Sequence, residues 1–460
     1  MSIDVGTGAV RRPRSIPVHR VLPRFVRDPV NALAEFGREA GGEVVRLDLG
    51  PVRPYLVTHP DHVQQVMRAE WTNYQREGMF WRPLRRLFGA GIMGEGKPWE
   101  SSRKILQPLF TARYIDTLSE EMAKTIAVRV GEMDEHVRSG RPADAADQMS
   151  GIVSQTLIRV LFGDKITRAD GERLTPAYDL VANSINFRLL MPFMPYFIRV
   201  PGDRALLGAV KTIDDVMFPV IRKARADLDD NVDVISALCR TTGDDGAGLD
   251  DRQIRDALVS VYGAASDTTV MSLTWLWSLL DTHPEVAAKL RDEIDDVVGA
   301  GPARPEHVPR LRYTRMVLQE LLRLYPAGWL FPRMAMEDGE IGGVRIRAGS
   351  QVLISPYATH RLDEFWERPL EFDPERFAPE KQERRHKYAH FPFGGGPHQC
   401  LGQYLFYVQA PLIVATVLSR FRLTVSNPGP FLPAPAASLR PKRRIELDVA
   451  FADHARSEVR

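Results

Sequence analysis

Cys400 stands near the end of FPFGGGPHQCLGQ (391–403), directly after Gly394, Gly395 and Gly396. Glycine holds backbone shapes that other residues resist, and it lets a bulky group come close. A thiolate ligates soft metal ions strongly, whereas an isolated cysteine is more often a small buried hydrophobe. The surroundings favour the ligand. Phe393, Gly396, Cys400 and Gly402 stand as F-x-x-G-x-x-x-C-x-G, ahead of an apolar helical run, YLFYVQAPLIVATVLSRF (404–421). A glycine-rich loop entering a helix N-terminus offers backbone N–H groups and the positive dipole end to a sulfur, which lowers its pKa.

Other stretches place reactive types at meaningful spacings. Glu320 and Arg323, in QELLRLYP (319–326), lie three apart and share a helix face. Arg376 follows in FDPERF (372–377). Asp267, Thr268 and Thr269 are adjacent in GAASDTTVM (263–271), inside a helical pattern, where a threonine bonds back to a carbonyl and bends the helix locally. Trp99 and Arg103 are four apart in GKPWESSRKILQPLF (96–110). Alone, each reads as an ordinary surface pair or a packed residue. Two histidine pairs, His59 with His62 and His386 with His390, lack a third ligand nearby in sequence and are rejected as metal sites.

The elements that must carry these residues are mostly helices. Apolar residues recur at helical spacing over 113–137, 253–281 and 284–298. The second of these is long enough to cross a domain, and its later half is apolar nearly all round, which predicts burial. Strands are expected at EVVRLDLG (43–50), PYLVTH (54–59) and, around Ala348-Gly349, in GVRIRAGSQVLISP (343–356). Breakers fall at 241–251 and 299–310.

Of the 460 residues, 26% are charged and 44% hydrophobic, with a formal net charge of +2, an ordinary globular composition. Two cysteines, Cys239 and Cys400, make no disulfide framework and suit a reducing compartment. The N-terminal stretch has no apolar signal core, and LTWLWSLL (273–280) is too short to span a bilayer. The expectation is a cytoplasmic monomer with no membrane anchor and no nucleic-acid partner.

Taken in order, from about residue 25 to 445, these stretches resemble the cytochrome P-450 family, the haem-thiolate monooxygenases. The resemblance implies a fold that is mainly α with small β-sheets: one large domain over 21–460, with a long central helix over the haem, behind a flexible arm over 1–20. It implies haem b with the Cys400 thiolate as axial ligand, in a loop shaped by Phe393, Gly396 and Gly402. Trp99, Arg103, Arg333 and His398 match positions that hold haem propionates. Glu320, Arg323 and Arg376 match a buried structural triad. Asp267 and Thr268 match the acid–alcohol pair that handles protons at the distal face. Ala265 stands where the family carries glycine, which implies a narrower or less kinked groove for dioxygen and water. Ala264, Ala265, Trp329, Leu330 and Phe431 are substrate-pocket candidates, with the segments 74–92 and 184–197.

The implied activity inserts one oxygen atom from O2 into a hydrophobic small molecule of secondary metabolism, a terpenoid, polyketide or aromatic peptide intermediate. Electrons would come from NAD(P)H through a ferredoxin and its reductase, since no flavin or iron–sulfur segment is evident. Alternatives are a peroxide-driven, coupling or cyclising use of the same haem, a haem-binding protein without turnover, and a cysteine hydrolase built on Cys400 and His398. The Asp267-Thr268 pair disfavours the peroxide-driven and non-turnover readings. Nothing resembling an orienting Asn or an oxyanion loop supports the hydrolase.

Overall fold

The computed structural model describes residues 11–82, 91–190, 198, 200, 202–227, 232–243 and 246–452. They fall into two compact units of discontinuous chain. The first takes residues up to 82 with 323–371 and 379–400; the second takes 83–322, 372–378 and 401 onward.

The first unit is built on a sheet of six short strands: β1 (Arg14–Ile16), β2 (Val45–Leu47), β3 (Tyr55–Val57), β4 (Tyr74–Gln75), β5 (Phe331–Ala335) and β6 (Gln351–Ile354). Their spatial order is β1-β2-β3-β6-β5-β4. β3 and β6 run parallel, Leu56 opposite Leu353, and β5 lies antiparallel to β6, Arg333 opposite Val352. Val57, Tyr74, Ala335, Val352, Ile354 and Phe391 share one apolar cluster on this sheet. Both strands expected around Ala348-Gly349 form, but they part company. Val344–Ile346 pairs with Gly339–Ile341, while β6 joins the large sheet. Gly349 makes the separation with φ +78°, donating to Ala335 O at 2.8 Å. Within the arm expected over 1–20, β1 pairs with β2 and α1 (Val18–Arg27) begins, so residues 11–20 are part of the unit. α2 (Pro29–Glu39) comes directly after, capped by Asp28.

The second unit is helical. It holds α3 (Lys97–Leu106), α4 (Ala112–Gly131), α5 (Ala145–Phe162), α6 (Arg168–Leu190), α7 (Asp203–Ala226), α8 (Asp251–Thr282), most of α9 (Arg312–Leu324) and α10 (Gln403–Arg420). The helix expected over 113–137 stops at Gly131, and a short one resumes at Asp134–Ser139. Between them Glu132 and Met133 bond to carbonyls three residues back, a tightened turn that seats Met133 in the core.

α8 spans 32 residues, about 48 Å at the usual rise. A capping box starts it: the Asp250 carboxylate accepts from Gln253 N–H at 2.7 Å, and the Gln253 side chain accepts from Asp250 N–H at 2.8 Å. Every residue from Ser272 to Leu280 is buried. The hydroxyls are satisfied within the helix, Ser272 by Thr268 O, Thr274 by Val270 O and Ser278 by Trp275 O. α8 packs on α5, and α10 on α4. No helix among the described residues is long and apolar enough to cross a membrane.

Candidate active site

The Cys400 loop belongs to the first unit. The Gly394 N–H donates to Phe391 O at 2.9 Å, and the Cys400 N–H donates to Phe393 O at 2.9 Å, so the loop folds back on itself. Gly394 and Gly396 have φ +70° and +64°, where side chains with a Cβ are strained. A Cβ on Gly396 would lie 1.9 Å from Met67 O, so the close approach also demands glycine. Cys400 is exposed at the end of this loop. His398 is partly buried, its ring edge-on to Trp71 at 5.4 Å. Gly402, which caps α10 in the second unit, has φ −75°, a conformation open to any residue.

The foot of the loop is tied to Arg323. This buried guanidinium donates to the carbonyls of His360, Pro369 and Glu371 at 2.9, 2.6 and 2.9 Å. It also stacks 5.0 Å over Trp366. The neighbouring His360 is fully buried; its Nε2 accepts from Phe391 N–H at 3.0 Å and its Nδ1 lies 3.2 Å from Arg323 O. That pattern requires a neutral ring with its proton on Nδ1. Burial first, then the charges of His390 and Arg323, hold its pKa well below the usual histidine range.

On β5, Arg333 is buried and stacks 5.9 Å over Trp81, whose Nε1–H donates to Pro332 O at 2.9 Å. Arg76, also buried, lies 5.5 Å over the same indole. Two guanidiniums against one ring concentrate positive charge at this point of the unit. Trp329 is buried, its carbonyl accepting from Ser355 Oγ, and Leu330 beside it is half-buried.

The second unit carries the remaining candidates. Trp99 is buried on α3, and Arg103 Nε–H donates to Gln107 Oε1 at 3.2 Å. Glu320 on α9 is fully buried; its Oε1 lies 3.3 Å from Arg376 Nε and accepts from Asp373 N–H at 2.9 Å. Midway along α8, Ala264 is exposed and Ala265 half-buried, while Ser266 and Thr269 on either side of the acid–alcohol pair are buried. The helix is continuous through Ala265, and Thr268 Oγ1–H donates to Ala264 O at 2.7 Å. Asp267 Oδ1 meets Arg440 Nη2 at 3.2 Å. Phe431 is half-buried under the Arg443 guanidinium, 5.8 Å from the ring centre. Residues 83–90 and 191–197, within the expected pocket segments, lie outside the described residues.

The family model described as Cytochrome P450 matches residues 11–449. The chain belongs to the cytochrome P450 family. Among its relatives, the pentalenene oxygenase of Streptomyces avermitilis is 27% identical over 95% of this chain and 96% of its own. The cyclooctat-9-en-7-ol 5-monooxygenase of Streptomyces melanosporofaciens is 31% identical over 89% of this chain and 88% of its own. The fold matches a crystal structure of the cytochrome P450DA heme domain with a TM-score of 0.87, at 24% identity, over 97% of this chain and 100% of that one. As a cytochrome P450 monooxygenase, the protein uses haem with a cysteine thiolate, O2 and a hydrophobic substrate. Its residues fit that group. A self-closed loop presents an exposed sulfur, glycine occupies the point of closest backbone approach, and buried guanidiniums suit an anionic porphyrin.

Four residues of the site escaped the sequence reading. Met67, His360 and Arg440 each act on partners far along the chain, and Arg76 lies over Trp81 five residues on, with no motif to mark any of them. Arg440 sits in SLRPKRR (438–444), which reads as a solvated basic run.

Proposed function

We propose that this cytochrome P450 oxygenates a terpene-derived hydrocarbon or alcohol, with electrons passed from NAD(P)H by a ferredoxin and its reductase in the cytoplasm. The observation that carries the haem assignment is the Cys400 loop, closed by Phe393 O and pinned where Gly396 meets Met67. The names of the two Streptomyces relatives support the substrate class.

Bound haem supplies the activation of dioxygen, favoured by sulfur ligation. The chain's residues do the rest. Cys400 would hold the iron through its thiolate, in a loop that Phe393 O closes and Gly396 shapes, with Gly402 at the start of the following helix. Trp99, Arg103, Arg333 and His398, with Arg76 beside Arg333, would counter the two propionates by directional, charge-assisted hydrogen bonds. Arg323 braces the foot of this loop through the carbonyls of His360, Pro369 and Glu371, while Glu320 and Arg376 pair as buried opposite charges. Asp267 takes up and returns protons at its carboxylate, and Thr268 relays them through its hydroxyl once it leaves Ala264 O. Ala264, Ala265, Trp329, Leu330 and Phe431 present apolar surface to the substrate.

The test uses haem-loaded, full-length protein. Reduction under carbon monoxide is expected to give the red-shifted band of a sulfur ligand, and Cys400→Ser to lose it. Pentalenene and cyclooctat-9-en-7-ol are then titrated as probes of the haem spin state and assayed with NADPH, a ferredoxin and its reductase. Absence of the sulfur band in wild-type protein overturns the haem-thiolate reading. A normal band, with neither terpene perturbing the spectrum, overturns the substrate class.

A further inference from the structure

Asp267 uses its two oxygens differently. Oδ1 lies 3.2 Å from Arg440 Nη2, while Oδ2 is buried and accepts no hydrogen bond among the described residues. A buried acceptor without a donor is costly, and where one persists a proton or a water belongs. Arg440 reaches Asp267 from a fixed base. It stands in the strand Arg440–Pro441, opposite Ala434 of Pro433–Ala434. The carbonyl just before it, of Leu439, accepts Trp275 Nε1–H at 3.1 Å, and Trp275 lies two turns further along α8. The hairpin is therefore fastened to the helix that carries the acid.

A second carboxylate feels the charge of this guanidinium. Asp179 on α6 is exposed, although the protein around it removes part of its carboxyl hydration. Burial, then the charges of Asp267 and of Asp147 on α5, raise its pKa, and Arg440 opposes them. Two acids from two helices thus lie within the field of one cation from the hairpin.

We propose that Arg440 is a positioning residue for Asp267: it holds Oδ1, leaves Oδ2 to accept and return a proton, and screens Asp267 from the charge of Asp179. This rests on the proton role given to Asp267 above. A cation hydrogen-bonded to one oxygen fixes the plane of the carboxylate and favours its ionised form. Removing it leaves like charges that compete for a proton.

The experiment takes haem-loaded, full-length protein, reduced by a surrogate ferredoxin and its reductase, with dioxygen as the only probe. Oxygen consumption and peroxide yield are followed across the neutral pH range. Arg440→Leu is expected to move the pH profile upward by about 1 pH unit or more, and Arg440→Lys to restore most of it. Adding Asp179→Asn to Arg440→Leu is expected to bring the profile part-way back. A readout independent of turnover is the infrared carboxyl band assigned by its loss in Asp267→Asn. In Arg440→Leu that band should persist to higher pH than in wild type. If a folded Arg440→Leu keeps the wild-type infrared titration and pH profile, the proposal is overturned. It is equally overturned if lysine behaves as leucine does; lack of recovery in the double variant removes the screening role. Should leucine prevent folding, Arg440→Gln takes its place against lysine. A wild type without the sulfur-type carbon monoxide band would sink the proposed function, yet the infrared titration would still decide the role of Arg440.

Discussion

Thr268 spends its one hydroxyl proton on Ala264 O, four residues back in its own helix. A mid-helix threonine that does this is cheap to keep, because its donor is satisfied without a partner from elsewhere. The same bond makes the hydroxyl a donor on call: rotation about χ1 frees it at the cost of one modest hydrogen bond. Thr268→Ala is therefore expected to leave the fold intact and to cut product formed per NAD(P)H, with turnover falling roughly 10²-fold and peroxide rising in its place. Unchanged product and peroxide per NAD(P)H would remove Thr268 from the relay. Gly396 makes the opposite demand, for space. With φ +64° and Met67 O where a Cβ would sit, Gly396→Ala must displace backbone. We expect a weakened sulfur-type carbon monoxide band with unchanged helical content by circular dichroism.

At the scale of elements, the end of α9 anchors the cysteine loop. Arg323 satisfies three carbonyls from one turn and one loop, and His360 passes the connection to Phe391, the first residue of the cysteine loop. Arg323→Ala would leave those carbonyls buried without that donor, at about 1–3 kcal/mol for each one left unsatisfied. Haem content per protein after purification should fall with it; a fully loaded, folded variant would contradict this. The start of α8 gives a calibrated contrast. Asp250→Ala removes the cap that serves Gln253 N–H, at about 1 kcal/mol. The urea midpoint should drop accordingly while the haem spectrum stays the same.

For the whole molecule, His360 ties stability to pH. Buried and neutral, it takes up a proton in the folded state only well below its ordinary value. The unfolded chain binds that proton near pH 6.5. Stability is thus intact above about pH 6.5 and is lost as pH falls from there toward the folded pKa, because the unfolded state then holds the extra proton. Urea midpoints should decline over this window, and His360→Gln should flatten the decline. An equal slope in that variant would place the titration elsewhere. The family match, from residue 11 to 449, runs through both compact units; the cysteine loop and Arg333 belong to one, and Asp267 and Thr268 to the other.

Much of this could be read directly from the chain. Cys400 among glycines, Glu320 with Arg323, and Asp267 beside Thr268 stand out as candidates because ligation, ion pairing and proton transfer need particular residue types at short, repeatable spacings. α8 and α10 were equally legible, since helical period and capping are local physics; α8 starts two residues before and ends one residue after the expected 253–281. Partners recruited across long stretches were not. Arg440 meets Asp267 from 173 residues away, and His360 holds Arg323 from 37. The strand Val344–Ile346 chose Gly339–Ile341 instead of the sheet beside it. Gly402 fits the loop pattern yet has a backbone any residue could adopt. Hydrogen bonds and charges act over ångströms in space whatever the separation along the chain, so these choices arise only once the core has closed around them.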